Sequence, residues 1–317
     1  MSSAAGYLVE VGTATGGSDF ASVQVPSSPS SHTVGGLLVG RSYFARVRAR
    51  NQAGTSAVSN EVRIESVDLR NVIDALYFGG GPLVPRDGLR FCVSASGRWI
   101  TYPAGATVRV IISASTVSAA AQQAVQRAAD QWIATTLGTN SVIVQLTGDP
   151  DPRPGHNEVT IATHPDPVSQ GCSFDRGCTI LTIRASVLTA ARSLIGPPNA
   201  NNTAAFPHDA VGHGALGMCH IDAGLIGGAR NTLMGGGPNV FSCPSPSDTC
   251  IADALTPLDA AAATAVYASG LPRGAERSLF LAAGLVNQSV GAPVTAEAGV
   301  RRVRVGPDTE RVILDHR

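Results

Sequence analysis

Phe206-Pro207-His208-Asp209-Ala210-Val211-Gly212-His213-Gly214-Ala215-Leu216-Gly217-Met218-Cys219-His220-Ile221-Asp222 carries most of the chemistry in this chain. Three of the seven histidines fall within these 13 residues, from His208 to His220. Neutral imidazole is a good zinc ligand, and three protein ligands with an open fourth position are the mark of a hydrolytic site. Asp209 follows the first histidine and is the nearest carboxylate, so it is the candidate base that takes a proton from water at the metal. The plain alternative is a chance cluster of buried or surface histidines.

Spacing sets the difficulty. His208 and His213 are five residues apart. On a regular α-helix, at about 100° per residue, ligands four apart differ by roughly 40°, whereas ligands five apart differ by roughly 140°. A regular helix therefore cannot offer both rings to one ion. A π-bulge would absorb one residue and restore the shared face. Gly212 and Gly214 make such a distortion easier, because glycine accepts unusual dihedrals. A second register also exists. Asp209 and His213 are four apart, so Asp209, His213 and His220 form an alternative ligand set, which leaves Ala210 where a base belongs. A site holding no metal is the third reading.

Outward from this segment, Arg98 to Ser113 contains a strand with alternation at Val108, Val110 and Ile112. Ser118 to Leu137 is Ala- and Gln-rich with no Gly or Pro. Ala121, Val125, Ala128, Ala129, Trp132 and Ile133 fall there at helical spacing. Ser141 to Leu146, Glu158 to Ala162 and Cys178 to Ile183 read as strands, and Pro257 to Ala268 as a helix. The order is strand, helix, three strands, the histidine segment, then a closing helix.

With this order, the segment 206–222 resembles the metzincin signature His-Glu-x-x-His-x-x-Gly-x-x-His, and the surroundings look closest to matrixin-like members. Residues 231–235 (NTLMG) look like the family's Met-turn, with Met234 beneath the metal. The likeness spans about residues 95 to 270. It departs from the family in both histidine intervals, each one residue longer, and in Asp209, which stands in place of glutamate; Gly217-x-x-His220 keeps the expected spacing. The resemblance implies an α+β fold: a metzincin-like catalytic domain, with a twisted mixed sheet, an active-site helix and a Met-turn. It implies zinc held by His208, His213 and His220, with Asp209 as base. Aspartate is one methylene shorter than glutamate, and a misplacement of about 1 Å can cost on the order of a hundredfold. The expected activity is a zinc endopeptidase that is slow. The alternative is an inactive pseudo-peptidase that binds or adheres outside the cell. Calcium is a second candidate ion, since matrixin-like domains often bind it. His156 and His164 lie in Pro-rich loops with Asp149, Asp151 and Asp166, where ordinary loop polarity is the competing reading.

The N-terminal segment reads as strands. Tyr7, Val9 and Val11 alternate with Leu8 and Glu10; further runs are Ser22 to Val25, Tyr43 to Arg50, and Ser56 to Ile64. Leu37, Gly40, Tyr43, Val47, Ala49, Asn51, Gly54, Ser56 and Ser59 resemble the second half of a fibronectin type III domain, over about residues 5 to 65. Tyr43 matches its corner tyrosine. The first two strands and their core tryptophan are missing, so an incomplete β-sandwich is expected, in a chain cut from a longer protein. The division is 1–66 for this module, 67–88 (including FGGGPLVPRDG) for a linker, 89–270 for the peptidase-like domain, and 271–317 for an extension of unassigned role. The alternating runs VRRVRV and ERVILD in that extension suit a hairpin.

Six cysteines remain to be placed. Cys172 with Cys178, and Cys243 with Cys250, bracket short loops and suit disulfide staples in an oxidising compartment. Cys92 and Cys219 are left as a third candidate pair. Alternatives are Cys92 as a thiol capping the zinc, although RFCVSAS does not match the family's propeptide motif, and Cys219 as a core residue or soft ligand. Asp222 is a candidate to orient a ligand ring, and Tyr267 a core residue. The 23 acidic and 23 basic residues cancel, and all the basic ones are arginine. No basic face for nucleic acid is evident, and no apolar run reaches the length of a membrane span. The expected partner is a peptide or protein substrate, and the expected location is extracellular, with the export signal upstream.

Overall fold

The computed structural model describes residues 4–28, 32, 34–35, 37–38, 41–84, 97–226, 232–236, 254–288 and 300–315. The chain divides into two compact units, Met1–Asp68 and Leu69–Arg317.

The first unit is a single antiparallel sheet among the described residues: β1 (Gly6–Gly12), β2 (Ala21–Pro26), β3 (Ser42–Asn51), β4 (Gly54–Thr55) and β5 (Val62–Glu65). Alternation fixes its register. Val9 lies opposite Val23 on one side and Val47 on the other, and Tyr7 opposite Val25 and Ala49. These residues make one face apolar. On the other face Glu10 pairs with Arg46 at 2.9 Å and Arg48 at 3.1 Å. The fourth expected strand, Ser56 to Ile64, is shorter. Between β4 and β5 the Oγ atoms of Ser59 and Ser56 accept the Val47 and Ala49 amides, both at 3.0 Å. Serine side chains there take bonds that a strand would supply from its carbonyls. The Tyr43 hydroxyl accepts the Leu38 amide at 2.9 Å, as expected of a corner tyrosine.

The second unit opens with α1 (Leu69–Phe78), inside the stretch read as a linker. Val72, Ile73, Leu76 and Tyr77 are buried on it. β6 (Thr107–Ser113), α2 (Ala119–Thr135), β7 (Ser141–Thr147), β8 (Glu158–Thr163), β9 (Gly177–Arg184) and β10 (Val187–Ile195) follow. Ser118 caps α2, its side chain accepting the Ala121 amide. The apolar stripe of α2 is buried from Ala121 to Trp132, but Ile133, placed on that stripe by its spacing, is exposed. After β10 the chain forms a short α turn, α3 (Ala205–Pro207), then a π-helical segment His208–His213. Next come β11 (Ile221–Asp222), β12 (Gly235–Gly236), α4 (Pro257–Ala268), α5 (Arg277–Ala282), β13 (Val300–Arg304) and β14 (Thr309–Asp315).

The main sheet runs β13-β14-β9-β10-β8-β6-β7. β7, β6, β8 and β10 are parallel neighbours, and β9, β14 and β13 complete it antiparallel. The fold of this unit is therefore mixed α+β. The C-terminal hairpin belongs to this sheet, since β14 pairs with β9 along its whole length.

Candidate metal centre

The π-helical segment resolves the spacing problem. Gly214 N–H donates to the Asp209 carbonyl at 2.8 Å and Leu216 N–H to the Val211 carbonyl at 2.8 Å, both five residues back. With that period, residues five apart lie one turn above each other, so His208 and His213 share a face. Gly217 then turns the chain. Its φ is +65°, and a β-carbon there would fall 1.9 Å from the Ile100 carbonyl oxygen, so only glycine fits without displacing backbone. The turn returns His220 toward the helix.

All three rings are buried. Among the described residues this trio is the one cluster of three or more His, Cys, Asp or Glu with convergent ligand atoms, all within 4.8 Å of one another. His220 Nε2 lies 3.1 Å from His208 Nε2 and 3.2 Å from His213 Nε2. Nitrogens at 2.0–2.1 Å from a tetrahedral zinc stand about 3.3 Å apart, so His220 lies from each of the other two rings at the separation of a shared coordination sphere.

Proton placement agrees with that geometry. His213 Nδ1 donates to the Met218 carbonyl at 2.7 Å, and His208 Nδ1 to the Asp209 carboxylate Oδ1 at 2.8 Å. Both Nε2 atoms then present lone pairs to the Nε2 of His220, which holds one proton at most. A cation between them satisfies all three lone pairs, and the acceptors behind the rings fix the tautomers as metal sites require. The donor set fits zinc.

Asp209 has its Oδ1 on the first histidine ring. That atom lies against Nδ1 of His208, on the side of the ring away from Nε2. In this arrangement Asp209 holds the His208 ring. The alternative ligand set with Asp209 is not the one whose atoms converge.

The floor of the site is Met234, fully buried. A β-carbon on Gly212 would fall 2.1 Å from its sulfur, so the thioether lies directly against the π-helical backbone. Ile221 N–H donates to the Met234 carbonyl at 2.9 Å, and β11 pairs with β12, tying the third histidine's strand to the methionine turn. Asn231, the first residue of NTLMG, lies outside the described residues.

Sequence reading missed Asp259. From the first turn of α4 it accepts Thr232 Oγ1 at 2.6 Å, Leu233 N–H at 2.7 Å, and Thr256 N–H and Oγ1 at 3.1 and 3.0 Å. Burial raises its carboxyl above the ordinary range, and these hydrogen bonds offset part of that rise. The capping box Thr256–Asp259 was a visible signal; its reach to Thr232 was not. The backbone around His220 is also tied to α1 and the turn after it: Cys219 N–H donates to the Leu76 carbonyl and Asp222 N–H to the Leu83 carbonyl at 2.7 Å.

The loop acids are engaged locally. Asp151 pairs with Arg192 and with Arg153 at 2.9 Å. Asp149 accepts the Asp151 amide, and Asp166 the Ser169 amide. They form no calcium-type cluster with His156 or His164 among the described residues. Cys172 and Cys178 are disulfide-bonded as expected. Cys219 is also in a disulfide, and among the described residues no cysteine is free. Cys92, Cys243 and Cys250 lie outside the described residues. Tyr267 is a core residue, its hydroxyl 2.8 Å from Thr101 Oγ1. No helix among the described residues is long and apolar enough to cross a membrane.

Residues 2–65 match the family model of the Fibronectin type III domain, so the first unit carries such a domain. Neither the curated proteins nor the solved structures contain a match to the chain.

Proposed function

We propose that the second unit is a zinc-dependent endopeptidase with a metzincin-like, matrixin-like scaffold, carried behind the fibronectin type III domain and acting outside the cell. The observation that carries this reading is the convergence of the His208, His213 and His220 nitrogens, with each Nδ1 of the first two rings held by an acceptor. The methionine beneath the π-helical segment and the order β7-β6-β8-β10-β9 support it. Bound there, zinc would supply Lewis acidity toward a peptide carbonyl and toward water. His208, His213 and His220 would hold the ion, while Asp209 and the Met218 carbonyl hold the rings and Met234 closes the floor. With Asp209 turned to His208, turnover by this chain is slow. The test is zinc stoichiometry alongside hydrolysis of an unstructured protein substrate, with and without a chelator. One zinc per chain and chelator-sensitive cleavage are expected; a chain that binds no zinc sinks the reading.

The placement of Asp209 favours one other reading, a zinc-holding pseudo-peptidase that binds proteins without cleaving them. Stoichiometric zinc with no turnover selects it.

A further inference from the structure

The Cys172–Cys178 disulfide closes a loop of separation 6 at the start of β9. A loop so short constrains little of the unfolded chain, so its effect in the folded state is local. What it holds locally is the C-terminal strand. Asp315, the last residue of β14, sits opposite Cys178 in the ladder and is 1% exposed. Its carboxylate accepts the Ser173 amide and the Ser173 hydroxyl, both at 2.6 Å, from inside the disulfide loop. Arg301 of β13 donates to the same carboxylate from Nε at 3.1 Å and also to the Gly171 carbonyl, on the other side of Cys172. Beneath this network Ile313 packs with Cys172, Cys178 and Leu194. Both strands of the hairpin thus end on one loop, and the disulfide fixes that loop's shape.

We infer that the Cys172–Cys178 loop is a redox-sensitive clasp for the C-terminal hairpin. A dithiol reductant passes two electrons and two protons to the sulfur–sulfur bond, giving two thiols on the chain and a disulfide on the reductant. The loop then relaxes, Ser173 leaves Asp315, and the hairpin opens from that end. Opening uncovers the amides and carbonyls of β9, an edge that accepts an added extended strand. β9 lies against the π-helical segment, so the uncovered edge belongs to a strand that touches the histidine helix.

The test is amide hydrogen exchange on the full chain, following residues 309–315 with residues 119–135 of α2 as the internal reference. Trypsin cleavage after Arg301, Arg302, Arg304 and Arg311 gives a second readout. The wild type, the double variant Cys172→Ser/Cys178→Ser and the single variant Asp315→Asn are compared under non-reducing conditions. Both variants are expected to lose about tenfold or more of the protection of β14, with α2 unchanged. Unchanged β14 protection in either variant overturns the clasp. Equal loss in α2 and β14, or a double variant that does not fold, also overturns it, because the disulfide is then a staple for the whole unit.

Discussion

Gly212 and Met234 are in direct contact, with no room for a β-carbon between the helix backbone and the sulfur. The contact sets how close the methionine turn lies to the histidine segment, so Gly212→Ala must push one of them away. Overpacking of this kind costs about 1–3 kcal/mol, and a unit of this size loses roughly 2–4 °C of Tm per kcal/mol. Zinc affinity is expected to fall with it, since His213 adjoins Gly212. The double variant Gly212→Ala/Met234→Ala should recover zinc binding while remaining less stable than wild type. Calorimetry and zinc titration check both; a Gly212→Ala chain with wild-type Tm and affinity shows that the contact does not constrain the site.

The period of the helix, and not the identity of Ala210, aligns the first two histidines. Deleting Ala210 leaves them four apart, which a plain α-helix presents on one face at roughly 40°. Inserting one alanine after Ala210 puts them six apart, which neither an α nor a π turn aligns. The deletion is expected to keep one zinc per chain, and the insertion to lose it. Metal analysis after dialysis decides the matter, and zinc retained by the insertion variant would contradict the role assigned to the π-helical segment.

Asp209 separates two roles by two substitutions. As the partner of His208 Nδ1 it sets that ring's tautomer, and losing such a partner typically weakens metal affinity about 10–100-fold. Asp209→Ala should show that loss. Asp209→Asn, whose Oδ1 still accepts from Nδ1, should lose markedly less. A base, by contrast, would give equal loss of hydrolysis in both variants with zinc affinity untouched, and that pattern would return Asp209 to the chemistry.

Asp151 gives a pH dependence. Burial pushes its carboxyl up, but the Arg192 hydrogen bond and charge, with Arg153 and His164, outweigh that and hold it below the ordinary carboxylate value. A depressed folded-state pKa contributes stability that is present above the unfolded value, about 3.9, and lost as pH falls through the folded one. Asp151→Asn should therefore lower stability at pH 7 by about 1–2 kcal/mol, because Arg192 is left buried with its partner changed. The difference from wild type should shrink as pH falls below about 4. Denaturant melts at pH 7 and pH 3 measure it, and a gap that widens in acid would rule out this origin.

Much of the site was legible because its chemistry is local. Three histidines in 13 residues, the need for a π-bulge, and the glycine before the last histidine are all written in one segment. What was missed depends on distant contacts. β10 carries no alternation to announce it: Val187–Ile195 lies between two strands, buried along most of its length, with Arg192 turned to Asp151. In α1, Leu69, Val72, Ile73, Leu76 and Tyr77 recur at helical spacing, but the glycine run after Phe78 drew the whole stretch into a linker. The α5 helix and the pairing of β14 with β9 also lay outside the sequence reading, since strand partners far apart in the chain leave no local mark. Asp209 follows the first histidine in the chain, but the contact of its Oδ1 with Nδ1 of His208 depends on side-chain geometry that sequence does not give.

The fibronectin type III domain presents a different balance. Among its described residues only Val11, Val25 and Tyr43 are buried apolar side chains, while Leu38, Val47, Val58 and Val62 are exposed. One apolar sheet face with so few buried residues removes little area from water and so has little to set against the entropy of ordering its strands. Residues 1–66 alone are therefore expected to show no cooperative melt. Tyr43→Phe in the full chain removes the hydroxyl that holds Leu38 and should cost a further 0.5–1.5 kcal/mol or so, read as faster hydrogen exchange in β3 with the second unit unaffected. A sharp, reversible transition from the isolated segment would mean that its apolar face is covered better than Val47 and Val62 indicate.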